Sequence, residues 1–218
     1  MQDRPVQDWV DWHLAYDDPS SALSARLARV RAHLSAAVNR APPGQVKLIS
    51  LCAGEGRDVL GVLPGHDRRD DVSAVLVECD PRNAATARCS AAAAGLSQVD
   101  VRETDASLVA NFADALPAHV LLLCGIFGNV SDADIERTVG AAAALCAPGG
   151  TVIWTRHRRP PDLTSSIRAW FETNGFTELA FDALDVGPLV AVGVHQLLRA
   201  RQAKLPAGQL FTFRPRGL

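Results

Sequence analysis

Short apolar runs recur along the chain from Val46 onward, and longer segments of mixed polarity separate them. Each run is too short for a buried helix and is rich in leucine or β-branched residues, which predicts a strand. Because the runs are continuously apolar, both faces of each strand should be covered, as in a parallel sheet with crossover helices. The predicted strands are Val46–Cys52, Val72–Val77, Val99–Arg102, Val120–Cys124 and Thr151–Thr155.

Helical segments fill the intervals between these strands. Ser131 precedes one of them with Asp134 three positions later, which is the spacing of a capping box, and Pro148-Gly149-Gly150 should close that helix before the fifth strand. The alternation of strand and helix predicts a doubly wound α/β fold. The predicted helices are Asp58–Leu63, Pro81–Ala94, a weaker Ser107–Ala115, Ser131–Ala144 and Leu163–Asn174.

Two further apolar runs, Thr177–Leu184 and Leu189–Leu198, follow the last of these helices. Only the short segment from Asp185 to Pro188 joins them. A parallel return needs a crossover of about ten residues or more, so this link permits only an antiparallel hairpin. The sheet should therefore finish with an antiparallel strand.

Residues 1–45 are predicted to form a helical extension, which caps a domain spanning residues 46–218. In this extension, a long amphipathic helix ends before Pro42 and is marked by Ala22, Leu23, Arg26, Leu27, Val30, Leu34 and Val38. An earlier helix places four residues on one face, namely Trp9, Trp12, His13 and Tyr16. Such residues suit the mouth of a pocket, where they contact a ligand while partly wet, but they would equally well seal a domain edge.

Composition and charge exclude several classes of protein. The 218 residues are 48% hydrophobic, which is ample for one buried core. A formal net charge of −2 creates no global field for nucleic acid or anionic lipid, so we expect no bulk nucleic-acid binding. The five cysteines are never spaced C-x-x-C, which disfavours disulfides and a zinc site and favours a reducing cytoplasm. No apolar run of about 18 residues is present, so no membrane partner is expected. Because the cysteines lack the spacing of a zinc site, no metal is expected either.

The chemistry should lie where the predicted strands end, since open α/β sheets bind ligands beyond the carboxyl ends of their strands. The first strand leads into Gly54-Glu55-Gly56, whose two glycines allow a tight turn and a close backbone approach to a ligand. A dinucleotide fingerprint would need a third glycine at Val59, and a phosphate-binding P-loop would need lysine at Val62. Both motifs fail, which leaves a plain turn or another kind of ligand.

Two acidic residues follow the second and third predicted strands. Glu78 lies about 20 residues after the glycines, where a carboxylate commonly accepts both hydroxyls of a ribose. A solvated turn or a helix cap is the alternative, and Asp80 before Pro81 suits that cap better than Glu78 does. Asp105 stands where it would accept the exocyclic amine of an adenine, or else it is an ordinary helix N-cap.

Together, these motifs resemble those of the class I S-adenosylmethionine-dependent methyltransferases. The matching segments are Ile49–Asp58, Val77–Pro81, Glu103–Ala106 and Pro148–Gly150. The resemblance implies a Rossmann-like, seven-stranded sheet whose last strand is antiparallel. It also implies S-adenosyl-L-methionine as cofactor and S-adenosyl-L-homocysteine as product. The fuller pattern, including the N-terminal aromatic residues, is similar to actinobacterial proteins of this kind.

The resemblance implies roles for individual residues. Gly54 and Gly56 would pass the methionyl group, Glu78 would hold the ribose, and Asp105 with the Ala106 N–H would read adenine. The family usually has an aspartate early in its glycine motif, which helps to bind the methionine ammonium. This chain has Ser50 there and Cys52 in place of the first glycine, so Asp58 or a backbone carbonyl is expected to compensate. The implied cofactor-binding residues are Ser50, Cys52, Ala53, Gly54, Gly56, Asp58, Glu78, Cys79, Asp80, Asp105, Ala106, Gly125 and Ile126.

The acceptor should bind between the loops after the fourth and fifth strands. The first loop, Gly125 to Asn129, lacks the Asn-Pro-Pro-Tyr or Asp-Pro-Pro-Tyr sequence with which the family methylates exocyclic base nitrogens. The second, Arg156 to Pro161, is a basic cluster that is either a solvated loop or a site for an acidic acceptor. Candidate acceptor-binding residues are Trp9, Trp12, Tyr16, Phe127, Asn129, Arg156 and Arg158, and the candidate catalytic bases are His157 and His13.

The sequence thus predicts a methyltransferase for a small-molecule acceptor, with the N-terminal aromatic helix as part of the acceptor pocket. A cofactor-binding protein of the same fold without methyl transfer is an alternative, which Ser50 and Cys52 favour. An RNA methyltransferase that uses Arg156–Arg159 is a second one, which the net charge and the missing loop sequence disfavour. No sequence feature predicts the oligomeric state.

Overall fold

The structure, a computed structural model, describes residues 14–18, 20–185, 189–198 and 205–214. Seven strands of these residues form one sheet. They are β1 (Val46–Leu51), β2 (Val72–Glu78), β3 (Val99–Glu103), β4 (Ala118–Leu123), β5 (Cys146–His157), β6 (Phe176–Leu184) and β7 (Val190–Leu197). Their spatial order is β3-β2-β1-β4-β5-β7-β6.

The first five strands pair in parallel, and β7 is antiparallel to both of its neighbours, β5 and β6. The predicted doubly wound sheet with an antiparallel last strand is thus confirmed. The strand order reverses at β1, which lies between β2 and β4. The carboxyl ends of β1 and β4 therefore flank the crevice in which sheets of this type bind ligands.

Five α-helices in the described residues cover the two faces of the sheet. They are α1 (Ala22–Arg40), α2 (Val59–Val62), α3 (Pro81–Ala93), α4 (Asp132–Leu145) and α5 (Thr164–Thr173). One apolar core joins the first three helices to one face, and a second core joins α4 and α5 to the other. Adjacent residues of β1 enter different cores, Leu48 the first and Ile49 the second. Burial on both faces explains the continuously apolar runs of the sequence.

Helix α1 belongs to the first core although it precedes β1, in the extension predicted for residues 1–45. Ser21 caps its first turn, where the side-chain oxygen accepts a hydrogen bond from the Ser24 N–H at 3.0 Å. Val30, Leu34 and Val38 form the buried stripe of the helix. The predicted boundary at residue 45 therefore falls between two elements of the same core.

Strand β5 begins at Cys146 rather than at the predicted Thr151. Pro148-Gly149-Gly150 is consequently part of the strand instead of a stop between helix and strand. The pairing with β4 shifts register at this point, and a Cβ on Gly150 would lie 2.8 Å from the backbone oxygen of Ala118. Close approach of the two backbones at an irregularity of the ladder explains why glycine is needed here.

The helix predicted weakly for Ser107–Ala115 is absent, and two short 3-10 helices, Val109–Asn111 and Ala113–Ala115, stand in its place. The Ser107 N–H donates to Oδ1 of Asp105 at 2.8 Å, and the Asn111 side-chain amide donates to the backbone oxygen of Asp105 at 2.8 Å. Such bonds between side chains and backbone compete with helical hydrogen bonds. None of the helices in the described part of the chain is long and apolar enough to cross a membrane.

Trp154 of β5 is the largest fully buried side chain of the core. Its indole Nε1 donates to Nδ1 of His195 at 3.1 Å, and its ring centroid lies 6.3 Å from that of Phe171. Gly193 stands opposite Trp154 in the antiparallel ladder of β5 and β7. A Cβ on Gly193 would lie 2.2 Å from Cε2 of the indole, so the indole occupies the space of a missing side chain.

Gly193→Ala should destabilise the protein because the buried indole has no space to yield. Overpacking of a core typically costs about 1–3 kcal/mol, and we expect a loss of at least that size in the free energy of unfolding, measured by urea denaturation. Gly65→Ala is the matched control, since nothing lies within 4 Å of its added Cβ. Equal stability of the two variants would contradict the packing described.

His195 predicts a pH dependence of stability. It is 1% exposed, and burial lowers its pKa to about 4. The unfolded chain therefore takes up a proton below about pH 6.5 that the folded chain does not, and stability falls with decreasing pH. We expect this residue to account for about 2 kcal/mol between pH 6.5 and 5. In urea titrations, His195→Asn, which can still accept from the indole, should lose less stability over this range than the wild type.

Candidate functional site

The glycine loop joins β1 to α2 at the switch point of the sheet. The Ala53 N–H donates to the Val77 oxygen at 3.0 Å, and the Gly56 N–H donates to the Ala53 oxygen at 2.9 Å, which closes a tight turn. Gly56 has a φ of 69°, and a Cβ there would lie 2.7 Å from Cδ2 of Leu76. Packing against β2 therefore requires glycine at position 56. This is a second reason for glycine there, beside the close ligand approach that the sequence predicts.

Cys52 occupies the position of the first glycine of the motif and keeps a glycine-like backbone. Its φ of 55° lies in the left-handed region, and among the described residues no other non-glycine residue has a positive φ. This conformation costs an L-residue about 1–2 kcal/mol. Burial raises the pKa of the Cys52 thiol well above its ordinary value, so the thiol stays neutral. The strain is stored at the loop that should contact the ligand.

Glu78 joins the glycine loop to the end of β2. The carboxylate is 7% exposed, and each oxygen accepts one backbone hydrogen bond. Oε2 accepts from the Gly54 N–H at 2.7 Å, and Oε1 accepts from the Asp80 N–H at 2.8 Å. A carboxylate offers about four acceptor positions, and these two hydrogen bonds use two of them. The sequence predicted the position of this acid but not its backbone contacts.

The neighbours of Glu78 have different roles. Asp80 caps α3, with Oδ1 accepting from the Arg82 N–H at 2.9 Å, and Oδ2 lies 2.8 Å from Nη2 of Arg82. This is the cap expected from its position before Pro81. Cys79 is exposed. Cys79 and Asp80 thus lie beside the crevice, while the Glu78 side chain contacts the backbone of the glycine loop.

The loop after β3 places a polar cluster at the same edge of the sheet. Asp105 is exposed and Ala106 is buried. The hydroxyl Oγ of Ser107 is buried without a hydrogen-bond partner among the described residues. A buried hydroxyl without a partner is costly, and a polar ligand edge would satisfy it.

Asp58 follows the glycine loop and caps α2. Its carboxylate is 8% exposed, and its Oδ1 accepts from the Val59 N–H at 2.8 Å. Burial raises its pKa, while Arg26 and Arg31 oppose the shift from a distance and form no ion pair with it among the described residues. Ser50, where the family usually has aspartate, is a buried, neutral residue of β1. Asp58 is therefore the buried acid of this loop.

The N-terminal segment packs against the glycine loop. The Tyr16 ring lies 5.5 Å from the guanidinium carbon of Arg57, and its hydroxyl accepts a hydrogen bond from Arg26. Asp17 pairs with Nη1 of Arg57 at 2.7 Å, and Glu55 pairs with Nε of the same arginine at 2.6 Å. Tyr16 thus lies at the end of the crevice beside β1. Three residues predicted to share its face lie outside the described residues, namely Trp9, Trp12 and His13.

The loop after β4 is held by hydrogen bonds to β5 and within the loop itself. The Gly125 N–H donates to Oγ1 of Thr155 at 2.9 Å, and Nδ2 of Asn129 donates to the Gly125 oxygen at 2.6 Å. Ile126 and Phe127 are fully buried, and the Phe127 ring packs 6.1 Å from Trp154. The Phe127 side chain therefore anchors the loop in the core and is not open to an acceptor, contrary to its predicted role. Asn129 closes the loop on itself.

The basic cluster after β5 divides into buried and paired members. Arg156 is 7% exposed and donates from Nη1 to the Phe127 oxygen. His157 lies beside the loop after β4, with Cδ2 3.4 Å from the place of a Cβ on Gly128. Arg158 pairs with Asp185 at 2.9 Å, so its charge is already compensated. The three basic residues that are adjacent in the sequence therefore occupy three different environments.

Two features of the site were missed from the sequence. Arg31 of α1 donates from Nε to the Arg57 oxygen at 2.9 Å and so supports the glycine loop. Residues 205–214, called the C-terminal strap, connect the loop after β3 to the loop after β4. The Leu210 N–H donates to the Ser107 oxygen, and the Arg214 N–H donates to the Asn129 oxygen, both at 2.8 Å. The arginines on α1 and the apolar residues of the strap were the sequence features that could have indicated these two contacts.

The comparisons with known proteins agree with this geometry. The family model described as "Putative methyltransferase" matches residues 22–175, which covers α1, the glycine loop and every strand through β5. The chain belongs to this methyltransferase family. No curated protein sequence matches it.

Solved structures show the same fold in other methyltransferases. Magnesium protoporphyrin IX methyltransferase from Synechocystis PCC 6803 with bound SAM has a TM-score of 0.66 and 11% identity, over 86% of this chain and 90% of that one. An RNA methyltransferase from Salinibacter ruber in complex with S-adenosyl-L-homocysteine has a TM-score of 0.53 and 16% identity, over 82% and 96%. An O-methyltransferase family protein from Burkholderia thailandensis has a TM-score of 0.62 and 18% identity over 79% of this methyltransferase, which spans only 55% of that chain.

Glu78→Gln should destabilise the methyltransferase before any ligand is added. A side-chain amide can accept from only one of the two backbone N–H groups and presents its own N–H to the other. Loss of a buried hydrogen bond to a charged group costs about 1.5–3 kcal/mol in the free energy of unfolding. Urea denaturation should show this loss, whereas Glu103→Gln, at the exposed end of β3, should change stability little. Equal stabilities would show that the Glu78 contacts do not hold the loop.

Proposed function

We propose that this chain is an S-adenosylmethionine-dependent methyltransferase for a small-molecule acceptor, with S-adenosyl-L-methionine as cofactor and S-adenosyl-L-homocysteine as product. The Glu78 carboxylate carries the proposal, because it is fixed against the Gly54 N–H while its hydrogen bonds to described residues use only two of about four acceptor positions. Membership of a methyltransferase family supports the proposal, as does a fold shared with methyltransferases that hold SAM or SAH.

The nucleoside of the cofactor fits the edge between β2 and β3. The available acceptor positions of Glu78 suit the two hydroxyls of a ribose. On the neighbouring loop, the exposed Asp105 carboxylate would accept the exocyclic amine of the adenine beside the Ala106 N–H. The buried Oγ of Ser107 lies next to both and needs a polar partner, which the purine edge would supply.

The methionyl end of the cofactor fits the glycine loop. Its ammonium needs an anionic or carbonyl partner, and Ser50 lacks charge. Asp58 is buried, lies at the end of the loop and forms no ion pair among the described residues. It follows the glycine loop after β1 and caps α2. Asp58 therefore supplies the carboxylate that the ammonium requires.

The acceptor side of the site lies at the ends of β4 and β5. The bound cofactor supplies a methyl group on an activated sulfonium, so the protein mainly positions the acceptor for an in-line attack. His157 would take the proton of an acceptor hydroxyl or amine beside Gly128, and His13 is the alternative base. Trp9, Trp12 and Tyr16 would complete the pocket from the N-terminal side.

Other acceptors are less consistent with the chain. One structural neighbour is an RNA methyltransferase, but the net charge of −2 offers little attraction for a polyanion.

The five cysteines are all free, which fits the cytoplasmic location predicted from the sequence. The similarity to actinobacterial proteins stays a prediction.

Calorimetric titration with S-adenosyl-L-homocysteine tests the proposal. The wild type should bind it, and Asp58→Asn should bind it at least about tenfold more weakly, since a charge-assisted hydrogen bond is replaced by a neutral one. Asp70→Asn is the control, because the Asp70 side chain is 93% exposed and its only ion pair among the described residues is with the adjacent Arg69. Absence of binding by the folded wild type would overturn the proposed function. Equal affinity of the Asp58→Asn variant would remove only the role of Asp58.

A further inference from the structure

Arg156 is a buried arginine that forms no ion pair with any described residue. It is 7% exposed, and among the described residues its only hydrogen bond is the one from Nη1 to the Phe127 oxygen. Its Nε is buried and has no hydrogen-bond partner in the described part of the chain. Asp132 and Asp162 act on it from a distance, and burial lowers its pKa. A buried cation of this kind normally has a carboxylate partner, because removing a charge from water is costly.

A second arginine approaches the same place from the C-terminal strap. The backbone N–H of Arg214 donates to the Asn129 oxygen at 2.8 Å, on the loop to which Arg156 also binds. The Arg214 side chain is 58% exposed and reaches Oδ1 of Asp132 only at 3.7 Å. The positive charge of Arg214 acts on Arg156 and opposes its protonation. Of the described residues, Asp132 is the one acid that both arginines share, at 3.7 Å from the Arg214 guanidinium and only at a distance from Arg156, so an added anion would relieve the remaining repulsion between the two like charges.

The neighbouring basic residue behaves differently. Arg158 pairs with Asp185 at 2.9 Å and with Asp162 at 3.8 Å, and it therefore needs no further anion. Arg156, by contrast, has no ion pair among the described residues, and Arg214 beside it has only the 3.7 Å contact to Asp132. This position lies at the ends of β4 and β5, on the acceptor side of the crevice rather than at the ribose carboxylate Glu78.

We propose that Arg156 and Arg214 form a binding site for an oxyanion, and that the acceptor of this methyltransferase carries a carboxylate or phosphate group there. The inference rests on the proposed function for the identity of the ligand as acceptor, but not for the presence of the anion site. The planar guanidinium matches the geometry of both groups through paired N–H donors. The anion anchors the acceptor beside His157, where the loop after β4 leaves open space at Gly125.

Thermal unfolding with added inorganic phosphate or acetate, at constant ionic strength against chloride, measures the site directly. The wild type should show a saturable rise in Tm with at least one of these anions, and the stronger of the two identifies the headgroup. Arg156→Gln should weaken this binding at least about tenfold, since a charge-assisted contact is lost. Arg158→Gln should leave it unchanged. No saturable effect in the wild type, or an equal effect in Arg156→Gln, would overturn the site.

Two further measurements make the result independent of folding and of the cofactor. If Arg156→Gln fails to fold, Arg214→Gln replaces it, and unchanged anion binding in that variant would overturn the pairing of the two arginines. Anion affinity should also be the same with and without saturating S-adenosyl-L-homocysteine. Competition between the two would place the anion in the cofactor pocket and overturn the assignment to the acceptor. Anion binding without any binding of S-adenosyl-L-homocysteine would contradict the proposed function and leave the anion site intact.

Discussion

The contact between the Glu78 carboxylate and the Gly54 N–H determines the shape of the candidate site. It connects the end of β2 to the loop that leaves β1, so two adjacent parallel strands hold the glycine loop as one unit. The second oxygen of the carboxylate binds the Asp80 N–H, and Asp80 caps α3. The buried Glu78 carboxylate therefore connects the glycine loop, the end of β2 and the start of α3. Because the carboxylate is almost entirely removed from water, these hydrogen bonds are stronger than surface contacts of the same length.

The α/β fold could be predicted largely from the sequence because the apolar runs are buried on both faces. Val72 to Val77 is an uninterrupted apolar strand apart from Ser73, and few other structures accommodate such a run. The prediction failed where tertiary contacts replace local preference. The extent of β5 depends on pairing with Ala118, and the 3-10 turns after β3 depend on the Asp105 contacts; neither partner is visible in local periodicity.

The candidate site was predictable to the extent that strand ends carry its residues. Glu78, Asp105 and the glycine loop could be located because parallel strands deliver their carboxyl ends to one edge. The contrast between Arg156 and Arg158 could not be predicted, because it depends on which acids lie nearby in space. Phe127 was misassigned for a related reason: an aromatic residue in a loop with two glycines looks exposed, whereas Trp154 provides it with a buried neighbour.

The C-terminal strap links the loop after β3 to the loop after β4, although 103 positions separate Leu210 from Ser107 and 85 separate Arg214 from Asn129. Contacts of such wide sequence separation form late in folding, since closing long loops costs entropy that only the completed contacts repay. During synthesis, β1 to β5 can pair while residues 205–214 have yet to leave the ribosome. The contacts that tie these two loops together are therefore assembled last, after the strands that carry the loops have already paired.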